Sequence, residues 1–207
     1  MAVSTSRRSL LSACAGGLVG IAGCLSGSEE SDQETPTFNS EPWPMVHFDA
    51  QNTGYAPGRT GPEADVSKRW RQSIGTRRYG TTSSPVHADD RIYAGSVSAD
   101  SVIAAYEGSS GSKEWGFRSG STYSSPAVEN GTVYFGYDGV VYAVDAGTGA
   151  VEWSVETSGN LMTSVTVHDG TVYTSGTSTS EKLYAIGADS GTVNWTYSLA
   201  DMDEPLI

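Results

Sequence analysis

The side chains best suited to chemistry are few in this chain, and their spacing does not assemble them. The three histidines, His47, His87 and His168, fall at different places in the repeat pattern set out below, so they form no evident metal-ligand set. Asp89-Asp90 and Asp100 sit in predicted turns, where carboxylates are ordinarily solvated rather than held for acid–base work. Gly147-Thr148-Gly149 reads as a hairpin turn and not a phosphate loop, because no helix follows it. No Gly-x-Ser-x-Gly nucleophile elbow is present. Of the two cysteines, Cys14 falls in the export signal read below and Cys24 at the expected lipidation site after it, which leaves no thiol for a disulfide, a metal or nucleophilic attack.

The residues that do recur are tryptophans. Trp115, Trp153 and Trp195 each close one eleven-residue phrase, and they lie 38 and 42 residues apart. The clearest phrase runs from Ala143 through Asp145, Thr148 and Gly149 to Trp153. Its neighbours run from Ala105 through Ser110-Gly111 to Trp115, and from Ala185 through Ser190-Gly191 to Trp195. A period near forty residues belongs to repeat architectures.

Four short strands fill each repeat. In the middle one, Ser125–Val128, Thr132–Phe135, Val140–Val144 and Val151–Val155 are rich in β-branched and aromatic residues. Turns at Glu129-Asn130-Gly131, Gly136-Tyr137-Asp138-Gly139 and Gly147-Thr148-Gly149 separate them. Pro85 precedes Tyr93 by the same eight residues that separate Pro126 from Tyr134 and Val165 from Tyr173. Tyr142 and Tyr184 share a place in the third strand, with Ile103 roughly there in the first repeat. The expected fold is all-β: a β-propeller of four-stranded blades, with about three complete blades and an N-terminal outer strand in an incomplete ring. One blade cannot bury both faces alone, so the tryptophans are expected to pack between neighbours, each indole N–H finding a partner.

The phrase Ala-x-Asp-x-x-Thr-Gly-x-x-x-Trp resembles the tryptophan-docking repeat of the pyrroloquinoline-quinone-type propeller family. Ala143, Asp145, Thr148, Gly149 and Trp153 match all five positions. The first copy substitutes Glu107 and Ser110, and the third has Gly187 and Ser190, with Asp189 two residues late. The segment Trp43–Tyr55 looks like the entry to such propellers, and Val66–Ile74 like the lone outer strand that closes the last blade, with Trp70 in the docking place. The resemblance divides the chain into an entry segment and lone strand at 43–78, then three repeats at about 79–118, 119–157 and 158–198, with a tail to 207. Three blades and a spare strand cannot close a ring, so truncation of a longer product is expected ahead of closure by association.

The front end reads as an address. Ser6-Arg7-Arg8-Ser9-Leu10-Leu11 and the small apolar run to Ala22 make an export signal over 1–23, and the Arg7-Arg8 pair fits the twin-arginine route. Ile21-Ala22-Gly23-Cys24 resembles a lipobox, with Cys24 the lipidated residue, and 24–42 reads as a disordered acidic tether. The chain carries 24 acidic and 12 basic residues, only three of them lysine, and without 1–23 the net charge becomes −14. Such a surface repels nucleic acid and anionic lipid heads. With the scarce lysine and the leader, it resembles the exported proteins of halophilic archaea. Asn130-Gly131-Thr132 and Asn194-Trp195-Thr196 fit the N-glycosylation pattern, and Asn130 is the candidate acceptor.

Two functions follow from the resemblance. A lipid-anchored, extracellular-facing binding or scaffold module, with a protein partner and no cofactor, is the first. A fragment of a quinone-dependent alcohol or sugar dehydrogenase is the second; it would bind pyrroloquinoline quinone with Ca²⁺ and supply a carboxylate base. Against the second stand the missing cysteine pair and the lack of a recognisable acidic and amide cage for calcium. The scaffold reading follows, by fold alone, the propeller lipoprotein of bacterial outer-membrane assembly.

Overall fold

One strand register recurs in three four-stranded antiparallel sheets. The structure is a computed structural model that describes residues 42–58, 67–74, 83–96, 101–118, 120, 122–159, 161, 163–176 and 182–198. The first sheet comprises β1 (Val86–Ala88), β2 (Arg91–Gly95), β3 (Ile103–Glu107) and β4 (Lys113–Phe117). The second comprises β5 (Ala127–Glu129), β6 (Thr132–Tyr137), β7 (Val140–Asp145) and β8 (Val151–Glu156). The third comprises β9 (Thr166–His168), β10 (Thr171–Ser175), β11 (Lys182–Gly187) and β12 (Val193–Ser198). No helix occurs among the described residues, and the sheets are blades of an unclosed propeller. Arg7, Arg8, Cys24, the tether up to residue 41 and the tail from 199 lie outside the described residues.

A single row of side chains explains why each blade looks like the next. Tyr93 pairs with Ala105 and Ala105 with Trp115; Tyr134, Ala143 and Trp153 repeat the row, as do Tyr173, Ala185 and Trp195. Directly paired residues point to one face, so the tyrosine and tryptophan rings meet across the alanine methyl. Their centroids are 6.0, 5.9 and 6.3 Å apart in the three blades. A larger residue in place of the alanine would enter the space the rings share. The ladder is also irregular at one place in each blade, immediately after that alanine.

The turns are built for this tight pairing. Asp89-Asp90, Asn130-Gly131 and Asp169-Gly170 all hold positive φ at both residues, the geometry of a two-residue hairpin. Asp89 and Asp90 thus have a structural role in the β1–β2 turn. A hydroxyl ten residues before each tyrosine accepts the backbone N–H two residues after it. Ser83 serves Gly95 at 2.8 Å, Ser124 serves Gly136 at 3.1 Å, and Thr163 serves Ser175 at 3.4 Å. Each first strand is only three residues long, so these side chains take over where its ladder stops.

Strand alternation sends the two faces of a blade to different neighbours. Ile103, Phe117 and Tyr93 of the first blade share a core with Val133, Phe135, Tyr142 and Val144 of the second. Tyr134, Val141 and Ala143 of the second share another with Val167, Val172, Tyr184 and Ile186 of the third. The hydrophobic cores therefore lie between blades, not within them.

Two details differ from the sequence reading. Ala104, not Ile103, occupies the place of Tyr142 and Tyr184, because all three directly precede the alanine of the row and pair with Gly116, Ser154 and Thr196. Residues 67–74 belong to no strand ladder among the described residues, although a lone outer strand was expected over Val66–Ile74. The entry segment instead pairs at the other edge. Trp43 and His87 exchange N–H···O bonds of 2.7 and 2.8 Å, the Val128 N–H donates to the Pro44 carbonyl, and Met45 is buried between the second and third blades.

Replacing Ala143 by Leu should cost about 1–3 kcal/mol by overpacking beneath Tyr134 and Trp153. Val151→Leu, on an exposed strand position, should stay within about 0.5 kcal/mol. Guanidinium unfolding followed by tryptophan fluorescence measures both.

Candidate functional site

The glycine turn between the third and fourth strands is the element that makes one blade recognise another. In the second blade the Asp145 carboxylate accepts from the Thr148 backbone N–H at 2.8 Å and the Thr148 hydroxyl at 2.6 Å. The Gly149 N–H closes the turn on the Asp145 carbonyl at 2.8 Å. The Thr148 hydroxyl, and after it the Thr148 backbone N–H, hold the Asp145 carboxyl below the usual carboxylate range. Glu107 does the same work in the first blade, where the Ser110 hydroxyl bonds it and lowers its pKa. The third turn has Gly187 in the place of the acid. There Gly187 donates to the Thr192 carbonyl, Gly191 donates to Gly187, and Ser190 bonds Thr192, so backbone and hydroxyls suffice.

Each turn receives the tryptophan of the blade before it. The indole N–H of Trp70 donates to the Gly108 carbonyl at 2.8 Å, that of Trp115 to Ala146 at 2.9 Å, and that of Trp153 to Ala188 at 2.6 Å. In every case the acceptor stands three residues before the turn glycine. The indole plane then lies on the glycine: a Cβ on Gly111, Gly149 or Gly191 would come within 2.6, 2.7 or 3.0 Å of Trp70, Trp115 or Trp153. All three glycines also hold a positive φ, between 67° and 74°. Glycine is required on both counts. The acceptor carbonyls Gly108, Ala146 and Ala188 escape a sequence reading, because a carbonyl leaves no side-chain signature; the constant offset from the glycine is their only sign.

Trp195 has no such turn to meet among the described residues. It is 48% exposed, and Tyr173 beside it is 39% exposed, whereas Tyr93 and Tyr134 at the same place are at most 3% exposed. Leu183 and Tyr197 are exposed too, while their counterparts Ile103, Val141 and Phe117 are buried. Val193 carries no such meaning, since its counterpart Val151 is exposed on a blade that is covered. Tyr173, Leu183, Trp195 and Tyr197 therefore form an apolar face that no described residue covers. The structure places Ala105, Ala143 and Ala185 under the rings, Asp145 and Thr148 in the turn, Gly111, Gly149 and Gly191 beneath the indoles of Trp70, Trp115 and Trp153, and leaves Trp195 exposed among the described residues.

Among the described residues no three His, Cys, Asp or Glu side chains gather in a metal-binding group. His47, His87 and His168 are not brought together in such a group, and the free edge of β1 is taken by Trp43. Asn130 stands exposed at the tip of the β5–β6 hairpin, and Asn194 lies within β12.

A family model described as outer membrane protein assembly factor BamB matches residues 63–204. No curated protein matches the chain. Among solved structures, the quinohemoprotein alcohol dehydrogenase from Comamonas testosteroni aligns with a TM-score of 0.62 at 20% identity, over 76% of this chain and 27% of that one. A europium-containing methanol dehydrogenase aligns with a TM-score of 0.61 at 15% identity, over 76% of this chain and 32% of that one. BamB from Moraxella catarrhalis aligns with a TM-score of 0.49 at 20% identity, over 63% and 39%. The chain spans 27% to 39% of the lengths of these structures, and the two dehydrogenases support the propeller fold alone.

Gly149→Ala should be more destabilising than Gly131→Ala by about 1–3 kcal/mol in equilibrium unfolding. Both glycines hold positive φ, but only at Gly149 would the added methyl collide with an indole; nothing lies within 4 Å at Gly131. The lowered Asp145 pKa gives a second check. Its stabilising effect is present above the carboxyl's unfolded pKa and is lost as pH falls through the folded value. Melting curves of wild type and Asp145→Asn should therefore differ at neutral pH and converge as pH drops below about 4.

Proposed function

We propose, because this chain belongs to the outer membrane protein assembly factor BamB family, that it is a non-enzymatic binding or scaffold module. In this reading a lipid on Cys24 holds it to the cell membrane with its blades on the extracytoplasmic side. The observation that supports the binding role is the apolar face of Tyr173, Leu183, Trp195 and Tyr197, uncovered among the described residues. Exposed apolar faces of this kind mark sites of protein contact. The family description, an assembly factor, agrees with a protein partner. The net charge of −12 argues against nucleic acid as that partner. The surface charge and leader fit an exported protein of a high-salt habitat.

Quinone-dependent oxidation of an alcohol or sugar is the competing function, favoured only by the names of the two dehydrogenases that share the fold. Purified protein in high salt, given pyrroloquinoline quinone with Ca²⁺, should keep its melting temperature and oxidise no alcohol. A photo-crosslinker at position 183 should capture a protein in cells, and Trp195→Ala should weaken that capture. A saturable rise in melting temperature with quinone, joined by alcohol oxidation, would overturn the binding role. For the anchor, Cys24→Ala should move the protein from the membrane fraction to the medium, and Arg7→Lys with Arg8→Lys should block export; membrane retention of the Cys24 variant would contradict the lipid.

A further inference from the structure

We propose that Asn130 is a site of spontaneous deamidation, and that its isoaspartyl product loosens the seat of Trp115 between the first and second blades.

A relay of main-chain bonds ties the tip of each first hairpin to a docked indole. The second residue of that turn offers its carbonyl to the N–H of the residue whose own carbonyl receives the tryptophan. Gly108 donates to Asp90 at 2.7 Å, Ala146 to Gly131 at 2.8 Å and Ala188 to Gly170 at 2.9 Å. The carbonyls of the same three residues accept from Trp70, Trp115 and Trp153. Ala146 also accepts from the Tyr93 hydroxyl at 3.3 Å, so two side chains of the first blade hang on one residue of the second. The position of that residue is set by the length of the hairpin, a two-residue turn closed by the pairing of Glu129 with Thr132.

The first place of this turn is held by Asp89 in the first blade and Asp169 in the third, with φ of 49° and 47°. The second blade has Asn130 there, with φ of 50°. An amide followed by glycine is a reactive pair. Of the five asparagines in the chain, Asn130 alone precedes a glycine; the others precede Ser40, Thr53, Leu161 and Trp195. Asn130 is exposed at the hairpin tip, and the Gly131 N–H donates to no described residue. Nothing lies within 4 Å of the place a Gly131 side chain would take, so no neighbour blocks approach.

The chemistry needs only water. The Gly131 nitrogen gives up its proton and attacks Asn130 Cγ; the N–Cγ bond forms, the Cγ–Nδ2 bond breaks, and ammonia leaves a succinimide ring. Water then opens the ring at one of its two carbonyls. Breaking the new N–Cγ bond leaves aspartate, the residue type that the sister turns already hold in the same conformation. Breaking the original peptide bond leaves isoaspartate, which routes the main chain through the side-chain methylene. The turn is then too long for the Glu129–Thr132 pair, the Gly131 carbonyl leaves Ala146, and the Trp115 indole loses its fixed acceptor. Trp153 depends on Gly170 through Ala188 and keeps its seat. Either product also removes the amide on which a glycan at Asn130 would be built.

The purified full chain, held at mildly alkaline pH and sampled over time, tests this without any substitution. Peptide mapping by mass spectrometry, with isoaspartyl methyltransferase labelling, locates the change. Ion exchange separates the forms, and NMR reads indole N–H exchange in each. Position 130 should lose its amide before any other asparagine, and faster as pH rises. In the isoaspartyl form the Trp115 indole should exchange about tenfold faster or more, on the scale of one lost hydrogen bond, with Trp153 unchanged. Asn130→Asp should leave both indoles as in the unmodified chain. An amide at position 130 that outlasts those of Asn52 or Asn194 would overturn the proposal, as would an isoaspartyl form whose Trp115 exchanges as before. Equal loosening of Trp153 would mark general unfolding, and an Asn130→Asp variant that frees Trp115 as much would mark a charge effect; each contradicts the relay.

Discussion

An indole laid on a glycine, with its N–H bonded to the carbonyl three residues earlier, is the contact on which the rest of this molecule depends. It joins an outer strand of one blade to the turn before the outer strand of the next. Nothing larger than glycine fits beneath the ring, and the positive φ there suits glycine on its own account. The net hydrogen bond contributes about 1 kcal/mol, and the tyrosine ring that braces the indole within its own blade about 0.5–1.5 kcal/mol. The contact also sets the angle and height at which two sheets meet. That alignment allows Phe117 to reach Phe135 and Tyr142, and Val141 to enter the core shared with Val172 and Ile186.

Because the cores lie between blades, stability is shared rather than owned. The middle blade buries both faces. The third buries one and presents the other, and its exposed aromatic residues are the same positions that are buried elsewhere. A surface of this kind is a consequence of repetition: the sequence of a repeat cannot distinguish a face that will be covered from one that will not. The acids that are organised among the described residues, Asp145 and Glu107, close turns.

Much of this was legible in the residues. Alternation of β-branched and aromatic positions marked the strands, Asn130-Gly131 marked a hairpin, and the recurring Trp115, Trp153 and Trp195 marked the period. What could not be read was which parts touch. Each phrase contains a glycine turn and a tryptophan, but Trp115 docks at Gly149 of the following phrase, and no spacing inside one phrase reveals a contact between two. The hydroxyls of Ser83, Ser124 and Thr163 were missed because they act on backbone N–H groups ten or more residues away. The pairing of Trp43 with His87 was hidden for a related reason, since a main-chain bridge is indifferent to side-chain type. The third turn keeps its shape with Gly187 in the place of Asp145 because its backbone bonds are sufficient.

Hydrogen exchange at the individual indole N–H groups, measured by NMR on dilute protein and assigned by single Trp→Phe changes, addresses the docking contact most directly. Trp115 and Trp153 should be strongly protected, Trp70 less so, and Trp195 should exchange close to the rate of a free indole. Fast exchange at Trp115 and Trp153, or protection of Trp195 in the dilute monomer equal to theirs, would contradict the account.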